Sequence, residues 1–323
     1  MSTATEGPGL RRRSGLPPPE PGLRRRSGPG RRPLAPRVWH FASFAAPSVL
    51  IYGCFVLAPI LISFGYSLTN YNPFNPPTTY VGLRNYQLLF QDEQFRTALR
   101  VTSILTLIVV IVPNVLGLGV ALLLDRRGWL YNALRSVFFT PVILSSVVVS
   151  VVWSRLLDAD GPLNQTLRAV GVDAPPGWLS DPRFALYSVA SIISWQMLGF
   201  CVVVYLAGLQ GVPTDLVEAA EIDGAGPVRR FWAVTWPMLA PSVTINTVVL
   251  LISAFKAYDY VKVITNGGPG AGTTATIAFN VLQTGFDANH GGYASAMAIV
   301  MLVIVATATA VALKILQRRE VDL

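Results

Sequence analysis

The sequence contains little charge. Aspartate, glutamate, lysine and arginine together make up 13% of its 323 residues, which is about half of the fraction usual in soluble globular proteins. Hydrophobic residues make up 52%, and the mean hydropathy is +0.50. A chain with so few charged side chains is poorly suited to cover the surface of a water-soluble protein. The composition therefore predicts a protein that lies in a lipid bilayer.

Cysteine and histidine are also scarce, with two of each. Cys54 and Cys201 lie inside long apolar runs, where we expect them to pack as small apolar side chains and not to form a disulfide. His40 and His290 have no His-Glu-x-x-His pattern and no cysteine cluster around them. The sequence therefore predicts no metal site.

The sequence also lacks the residues of an ATP site. The segment GGPGAGTT at 267–274 has glycines with the rhythm of a P-loop, but Thr273 stands where a P-loop has its phosphate-binding lysine. No Ser-His-Asp, Cys-His or paired-carboxylate arrangement stands out on one side of the predicted membrane. We therefore expect neither a catalytic residue nor a cofactor in this chain.

Six apolar runs are long enough to cross the roughly 30 Å hydrocarbon layer of a bilayer as helices. They cover residues 41–68, 100–124, 136–157, 184–209, 238–264 and 293–316. Lipid satisfies no backbone hydrogen bond, and the runs are too long for barrel strands, so the sequence predicts an all-α integral membrane protein with six transmembrane helices. Prolines inside the runs, Pro113 and Pro141 among them, are expected to kink these helices.

Residues 1–37 differ from the rest of the chain. They contain nine arginines, two acids and two copies of the unit PGLRRRSG, at 8–15 and 21–28. With so few apolar side chains they are predicted to be a disordered tail, followed by a transmembrane domain at 38–323. The apolar run after the tail exceeds the 7 to 15 residues or so of a signal peptide, which favours a retained membrane helix. Nucleic-acid binding is not expected, because no aromatic residues are interleaved with the arginines.

The positions of the arginines predict the orientation of the chain. If the N-terminus is cytoplasmic, the cytoplasmic segments are the tail, 125–135, 210–237 and 317–323, and all of them carry arginine pairs or clusters. The segments on the other side are 69–99, 158–183 and 265–292, which are longer and hold only four arginines. The positive-inside rule therefore predicts that both termini are cytoplasmic.

One short charged segment separates the fourth and fifth runs. Its sequence, EAAEIDGAGPVRRFWAVTWP, begins at Glu218 and predicts two short helices. Asp215 as N-cap with Glu218 three residues later forms a capping box, Gly224 ends the first helix, and Pro227 starts a second through 228–234. A helix of about eight residues is not stable alone. The residues themselves leave open whether this is a solvated connector or a docking element for another protein.

The charged segment resembles the E-A-A-x3-G-x9-I-x-L-P loop of ATP-binding cassette importer permeases. Glu218-Ala219-Ala220, Gly224, Val234 and Trp236-Pro237 match it, with valine and tryptophan in place of isoleucine and leucine. Further segments typical of the maltose-type sugar permeases follow one another in the right order across about 40–318. They include YVGLRNYQLLF, LRSVFFTPVILSSVVVSVVWSRLLD, WLSDP and FKAYDYVKVITNGGPG.

This resemblance implies the fold of type I importer permeases, in a bacterial cytoplasmic membrane. The implied function is a permease subunit that moves a sugar, either a di- or oligosaccharide or a related polyol phosphate, by alternating access. The implied partners are a second permease, two ATPase subunits that bind ATP and Mg²⁺, and an extracytoplasmic solute-binding protein that docks on the outer loops. In the loop at 212–237, the resemblance implies an ATPase-coupling surface made of Glu218, Ala219, Ala220, Asp223 and Gly224.

Polar side chains inside the runs are candidates for a solute path, because they are costly in the middle of a bilayer. Asn114 and Asn246 are more typical of hydrogen bonds between helices than of solute contacts, and Lys256 and Asp259 could neutralise each other on one helical face. The resemblance suggests a sugar site among the third, fourth and fifth spans, with Trp195, Phe200 and Tyr258 as aromatic faces. The substrate-path candidates are Ser146, Gln196, Phe200, Ser253, Lys256 and Asp259.

Two other functions are compatible with a chain of several membrane spans. A secondary transporter or channel would have charged relays inside the spans and inverted repeats. The sequence offers only Lys256 and Asp259 for such a relay and shows no clear duplication. A membrane scaffold without a transport role would lack a polar cavity.

Overall fold

The computed structural model describes residues 45–270 and 272–318 of the chain. The predicted disordered tail at 1–37 and its boundary with the transmembrane domain lie outside these residues. The chain divides between Cys54 and Phe55 into two units. The described part of the first unit, residues 45–54, is helical. All features that follow belong to the second unit unless stated otherwise.

The described residues fold mainly into helices, as predicted. In chain order the helices are α1 (Ala45–Ser67), α2 (Arg84–Gln91), α3 (Glu93–Leu124), α4 (Trp129–Ile143), α5 (Ser146–Leu156), α6 (Pro162–Ala169), α7 (Ala185–Gln210), α8 (Thr214–Ile222), α9 (Pro227–Met238), α10 (Ala240–Phe255), α11 (Asp259–Ile264), α12 (Ile277–Leu282) and α13 (Gly291–Gln317). The helices α1, α3, α7 and α13 are individually long and apolar enough to cross a membrane. Two bent pairs, α4 with α5 and α9 with α10, bring the number of candidate spans to six.

The third predicted span is bent sharply. The sequence predicts one helix over 136–157, and this is wrong, because α4 and α5 meet at 99°. Pro141 lies in the last turn of α4, where it removes a helical hydrogen bond. Leu144 then adopts an extended conformation, with φ −71° and ψ 144°, before Ser146 starts α5. The kink expected at Pro141 therefore becomes a complete interruption of the span.

The fifth predicted span, 238–264, is also wrong in its bounds. Helix α9 leads into α10 with a 62° bend at Leu239, and α10 ends at Phe255. The chain is irregular until α11 begins at Asp259. The hydroxyl of Thr276 donates a 3.1 Å hydrogen bond to the carbonyl of Ala257, which stabilises the interruption. Lys256 and Asp259 therefore do not share the helical face that the sequence suggests, and no ion pair joins them.

Helix α7 lies at the centre of the protein core. Residues such as Val189, Ile193 and Cys201 are buried there against α3 and α4. The helices approach closely at Gly117, where an added Cβ would lie 2.6 Å from the Cβ of Cys201. Cys201 is fully buried, in agreement with its predicted packing role, whereas Cys54 of the first unit is exposed.

The long helix α13 has a different environment. It packs on residues 58–67 of α1 and on α10. Only 11% of its most apolar stretch of 18 residues is buried, whereas the corresponding stretch of α7 is 61% buried. Its exposed side chains include Leu302, Val303 and Val311. An apolar surface of this length is expected where a helix faces lipid or another membrane subunit.

Candidate functional site

The charged segment between α7 and α10 starts with α8. The sequence predicts Asp215 as its N-cap, but the structure has Pro213 in that position, with φ −60° and ψ 127°. No side chain accepts a hydrogen bond at this helix start, so the predicted capping box of Asp215 and Glu218 is wrong. The fixed φ of Pro213 orders the chain before Thr214 and lets the helix begin earlier. Asp215 remains in the first turn, where its charge interacts favourably with the helix dipole.

The end of α8 has the geometry that the sequence predicts. Gly224 has φ +77°, a left-handed conformation that glycine adopts without strain. The amide of Gly224 donates to the carbonyl of Glu221 at 3.0 Å, and the amide of Ala225 donates to the carbonyl of Ala220 at 2.9 Å. This pair of hydrogen bonds is a Schellman motif, which satisfies carbonyl groups at the helix end.

The second helix of the segment begins at Pro227, as predicted, but continues to Met238 and not to residue 234. A 3.0 Å ion pair between Arg230 and Glu221 joins it to α8. Glu221 lies near the end of α8, where the helix dipole disfavours a negative charge. Arg230 compensates this charge, so the partner that Glu221 needs is present in the same chain.

One face of α8 is exposed to solvent in the described part of the chain. Residues at helical spacing, Asp215, Glu218, Ala219 and Ile222, are all exposed, and the side chain of Ile222 is 87% exposed. Glu218 makes no ion pair within the part of the chain that the structure describes. Of the predicted coupling residues, Glu218, Ala219, Asp223 and Gly224 are exposed and Ala220 is half-buried. The face combines an acid, a small residue and a large apolar side chain, a composition suited to docking a protein.

The second candidate region surrounds the breaks in the third and fifth spans. Gln196 of α7 donates from Nε2 to the carbonyl oxygen of Leu144 at 2.8 Å. Its Oε1 atom accepts a 2.7 Å hydrogen bond from the hydroxyl of Tyr260. Because Gln196 is only 2% exposed, both ends of its amide are engaged inside the protein. This side chain therefore links the α4–α5 break to α11.

A second hydrogen bond runs parallel to this link. The hydroxyl of Ser146 donates to Oδ2 of Asp259 at 2.8 Å. Asp259 is exposed and Ser146 is half-buried, so this pair lies at a surface and not in the core. The structure therefore brings three of the predicted substrate-path residues together, namely Ser146, Gln196 and Asp259.

The remaining predicted residues are dispersed around this cluster. Phe200 is half-buried against the core, and Ser253 is half-buried on α10. Lys256 is exposed and lines an apolar groove of about 730 Å³ between α10 and α13, together with residues such as Ile252 and Met301. Lys256 therefore does not contact the Ser146–Asp259 pair.

Two aromatic side chains next to the cluster pack against each other. Trp195 and Trp153 form a T-shaped pair with ring centroids 5.4 Å apart, and Trp195 is 41% exposed. Sequence reasoning missed Trp153 and Tyr260. The polar and aromatic residues of the segment AYDY could have drawn attention to Tyr260. The sequence, however, predicts one continuous fifth helix, and such a helix gives no reason to expect contact between Tyr260 and α7. Tyr258, also expected as an aromatic face, stacks on Phe279 at 6.3 Å.

The polar residues Asn114 and Asn246 lie among packed helices. The Oδ1 atom of Asn114 accepts a 2.7 Å hydrogen bond from the hydroxyl of Tyr205, which joins α3 to α7. Asn246 is fully buried on α10. From the sequence, Asn114 could either link two helices or contact a solute. Its hydrogen bond with Tyr205 gives it the helix-linking role.

The predicted outer segments are ordered by side-chain contacts. Trp178 donates from Nε1 to Oδ1 of Asn164 at 2.8 Å, and Tyr293 donates to Oδ2 of Asp92 at 2.6 Å. The GGPG segment forms a turn in which Gly267, Gly268, Gly270 and Gly272 all have positive φ. These contacts hold the loops that connect the spans at the end opposite to α8.

Comparison with known proteins gives one family for this chain. Residues 113–321 match the family described as binding-protein-dependent transport system inner membrane component. The probable starch degradation products transport system permease protein AmyD of Thermoanaerobacterium thermosulfurigenes is 31% identical over 88% of this chain and 96% of its own length. The diacetylchitobiose uptake system permease protein NgcF of Streptomyces coelicolor is 33% identical over 84% of this chain and 81% of its own.

A solved structure has the same fold. A chain of a bacterial ABC transporter involved in the import of the acidic polysaccharide alginate superposes with a TM-score of 0.73 and 21% identity, over 88% of this chain and 96% of that chain. The resemblance to an importer permease, expected from the charged loop, is thus confirmed, and the relatives are transport subunits and not enzymes. The chain belongs to the family of binding-protein-dependent transport system inner membrane components, the membrane-spanning permeases of ABC importers.

Proposed function

We propose that this chain is one permease subunit of an ATP-driven importer of di- or oligosaccharides or related polyol phosphates. The observation that carries this proposal is the exposed face of α8, formed by Asp215, Glu218, Ala219 and Ile222 at the end of a bent span. The names of the relatives support a sugar as the substrate class, since they refer to starch degradation products and diacetylchitobiose. In this proposal both termini and α8 face the cytoplasm.

The proposed partners supply what this chain lacks. Two ATPase subunits bind ATP and Mg²⁺, and one of them docks on α8 of this chain. A second permease completes the membrane pore, and a solute-binding protein delivers the sugar on the outer side. A complex of the alginate transporter with its pentasaccharide-bound periplasmic protein supports such an arrangement.

The proposed coupling path runs through contacts of this chain. A displacement of α8 by the ATPase is transmitted to α9 through the Glu221–Arg230 ion pair. From α9 it reaches the membrane through the 62° bend at Leu239 and changes the position of α10. Helices that move as rigid bodies about such bends are a common basis for switching between two conformations. Here the two conformations open the sugar path to opposite sides of the membrane.

The proposed sugar path lies beside the breaks in the third and fifth spans. The carboxylate of Asp259 and the hydroxyl oxygen of Ser146, whose proton is donated to Asp259, offer acceptors for sugar hydroxyl groups, and Trp195 offers an aromatic face. Gln196 has the different role of holding Leu144 and Tyr260 in place, because its buried amide makes a hydrogen bond at each end. Non-helical backbone is tolerated at membrane depth where it lines a cavity.

The test is reconstitution of the complete complex in proteoliposomes. With the ATPase subunits, ATP and the solute-binding protein present, we expect uptake of a radiolabelled oligosaccharide from a panel of candidates. Removal of the ATPase subunits should abolish the uptake. Uptake that continues without them would show a secondary transporter, and an absence of uptake for every solute that the binding protein binds would show a scaffold.

A further inference from the structure

Three aromatic side chains cluster on α9. The ring centroids of Phe231 and Trp232 are 5.3 Å apart, those of Trp232 and Trp236 are 5.6 Å apart, and those of Phe231 and Trp236 are 6.2 Å apart. Trp232 is 59% exposed, and the other two rings are half-buried. We call these three residues the aromatic cluster. The proposed coupling path uses none of their side chains.

A π turn over Phe231–Thr235 brings the aromatic cluster together. The amide of Trp236 donates to the carbonyl of Phe231, five residues earlier, in place of the four-residue step of an α-helix. With this extra residue in the turn, Phe231 and Trp236 lie above each other on one side of α9. In a regular α-helix these two positions would point in clearly different directions.

Trp232, the exposed member of the aromatic cluster, lies on the side of α9 away from α8. Arg230, which pairs with Glu221 of α8, marks the side of α9 that faces α8. Trp232 follows two residues later, which in a helix is nearly the opposite side. The exposed cation Arg229 lies three residues before Trp232 and therefore on its side. The cluster thus forms a surface separate from the exposed face of α8.

An apolar crevice adjoins the aromatic cluster. It has a volume of about 220 Å³ and is lined by Trp236, Pro237, Ala240, Val243 and, from the last turn of α13, Leu316. The same end of α13 carries the exposed cations Lys314 and Arg318. Indole rings and basic side chains at the ends of spanning helices are characteristic of the level where a membrane meets water.

We propose that the aromatic cluster, Arg229 and the crevice together bind an anionic phospholipid of the cytoplasmic leaflet. Arg229 pairs with the headgroup phosphate, and the indole rings of Trp232 and Trp236 lie between the headgroups and the acyl chains. One acyl chain enters the crevice beside Leu316. The inference rests on the orientation given in the proposed function.

Charge and shape favour a lipid over a protein as the occupant of this surface. Arg229 makes no ion pair in residues 45–270 and 272–318, whereas its neighbour Arg230 is neutralised by Glu221. An aromatic surface beside unpaired cations matches a negatively charged membrane surface, which attracts basic residues. The α8 face, which carries Glu218 and Asp215, has the opposite charge and remains available to a protein partner.

The test is lipid retention by the assembled importer. The complex is reconstituted in nanodiscs with equal amounts of phosphatidylglycerol and phosphatidylcholine, and the lipids that remain bound are counted by native mass spectrometry. We expect preferential retention of phosphatidylglycerol. Arg229→Gln should lower this retention about five-fold, the factor for about 1 kcal/mol from one basic residue near an anionic surface. Trp232→Ala should lower the retention of both lipids.

Arg84→Gln is the matched control, because Arg84 is equally exposed but lies at the start of α2, on the predicted outer side. This control should retain as much phosphatidylglycerol as the wild type. Equal retention by Arg229→Gln and the wild type, or no preference for the anionic lipid, would overturn the proposal. Should Trp232→Ala fail to assemble, Trp232→Phe replaces it, with a smaller loss expected. Counting bound lipids does not require transport. The lipid-retention result can therefore be interpreted even if the proposed coupling function proves wrong.

Discussion

Arg230 and Glu221 form a 3.0 Å ion pair that joins the two short helices of the charged loop. The side chain of Arg230 is 28% exposed and that of Glu221 is 69% exposed. Solvent screens such a pair, so we expect it to contribute no more than about 1 kcal/mol to stability. Its importance lies in the orientation of α8 relative to α9.

Arg230→Gln is therefore expected to lower ATP-driven sugar uptake several-fold while the protein still inserts and assembles. Without the ion pair, α8 can move without moving α9. Uptake is measured in proteoliposomes, with assembly checked by co-purification of the ATPase subunits. The double variant Glu221→Arg with Arg230→Glu restores the opposite charges and should recover uptake in part. Unchanged uptake in the single variant would remove the pair from the coupling path.

Glu218→Lys is expected to abolish ATP-driven uptake without affecting membrane insertion. Glu218 is exposed and forms no ion pair in the described residues, so its replacement should change stability by no more than about 0.5 kcal/mol. The new positive charge would disrupt contact with a basic ATPase surface. Asp125→Lys is a control on the same predicted side of the membrane, at the exposed end of α3. Binding of the ATPase subunits by the Glu218→Lys variant at wild-type affinity would contradict the docking role.

Substitutions of Gly224 by uncharged residues should act through the backbone. An added Cβ meets no atom within 4 Å, but φ is +77°, which costs most other residues about 1 to 2 kcal/mol. We expect Gly224→Val and Gly224→Asp to lower uptake strongly with normal insertion, the aspartate also adding a charge to the docking surface. Gly224→Asn should retain much more activity, because asparagine tolerates this conformation. Equal uptake by the valine and asparagine variants would exclude the Schellman motif as the cause.

Gln196→Ala should destabilise the protein. It leaves the carbonyl of Leu144 and the hydroxyl of Tyr260 without their partner, and an unsatisfied buried group such as the Tyr260 hydroxyl costs about 1 to 3 kcal/mol. Tyr260→Phe, which removes one of the two hydrogen bonds, should have a smaller effect. Thermal unfolding of the purified complex measures both changes, with Ser253→Ala as a control. A Gln196→Ala variant that unfolds at the wild-type temperature but has a raised KM for sugar would assign Gln196 to the substrate.

The sequence predicts the helical fold and the loop because both depend on local features. Apolar runs mark the spans through composition, and Gly224 and Pro227 mark helix ends through their backbone preferences. The break after Ile143 is different, because Pro141 predicts a kink there but not a complete interruption of the span. The carbonyl of Leu144 obtains its hydrogen bond from Gln196, 52 residues later in the chain. A partner at that distance becomes apparent only when α7 is placed in the core.

The interruption after Phe255 has a similar origin. Its stabilising contact comes from Thr276, beyond the glycine-rich turn, so nothing within the apolar run itself indicates where α10 ends. For this reason the pairing of Lys256 with Asp259, which the sequence left open, does not form. The grouping of Ser146 with Asp259, 113 residues apart, is a consequence of the same tertiary arrangement.

The π turn at Phe231–Thr235 contains one residue more than the corresponding turn of an α-helix. Deleting a single residue there would convert the turn to regular α-helix. Because five steps of a π turn cover nearly the same rotation as four steps of an α-helix, α8 would keep almost the same direction relative to α10. Related chains that are one residue shorter in this segment would therefore present the acidic face of α8 to the same side.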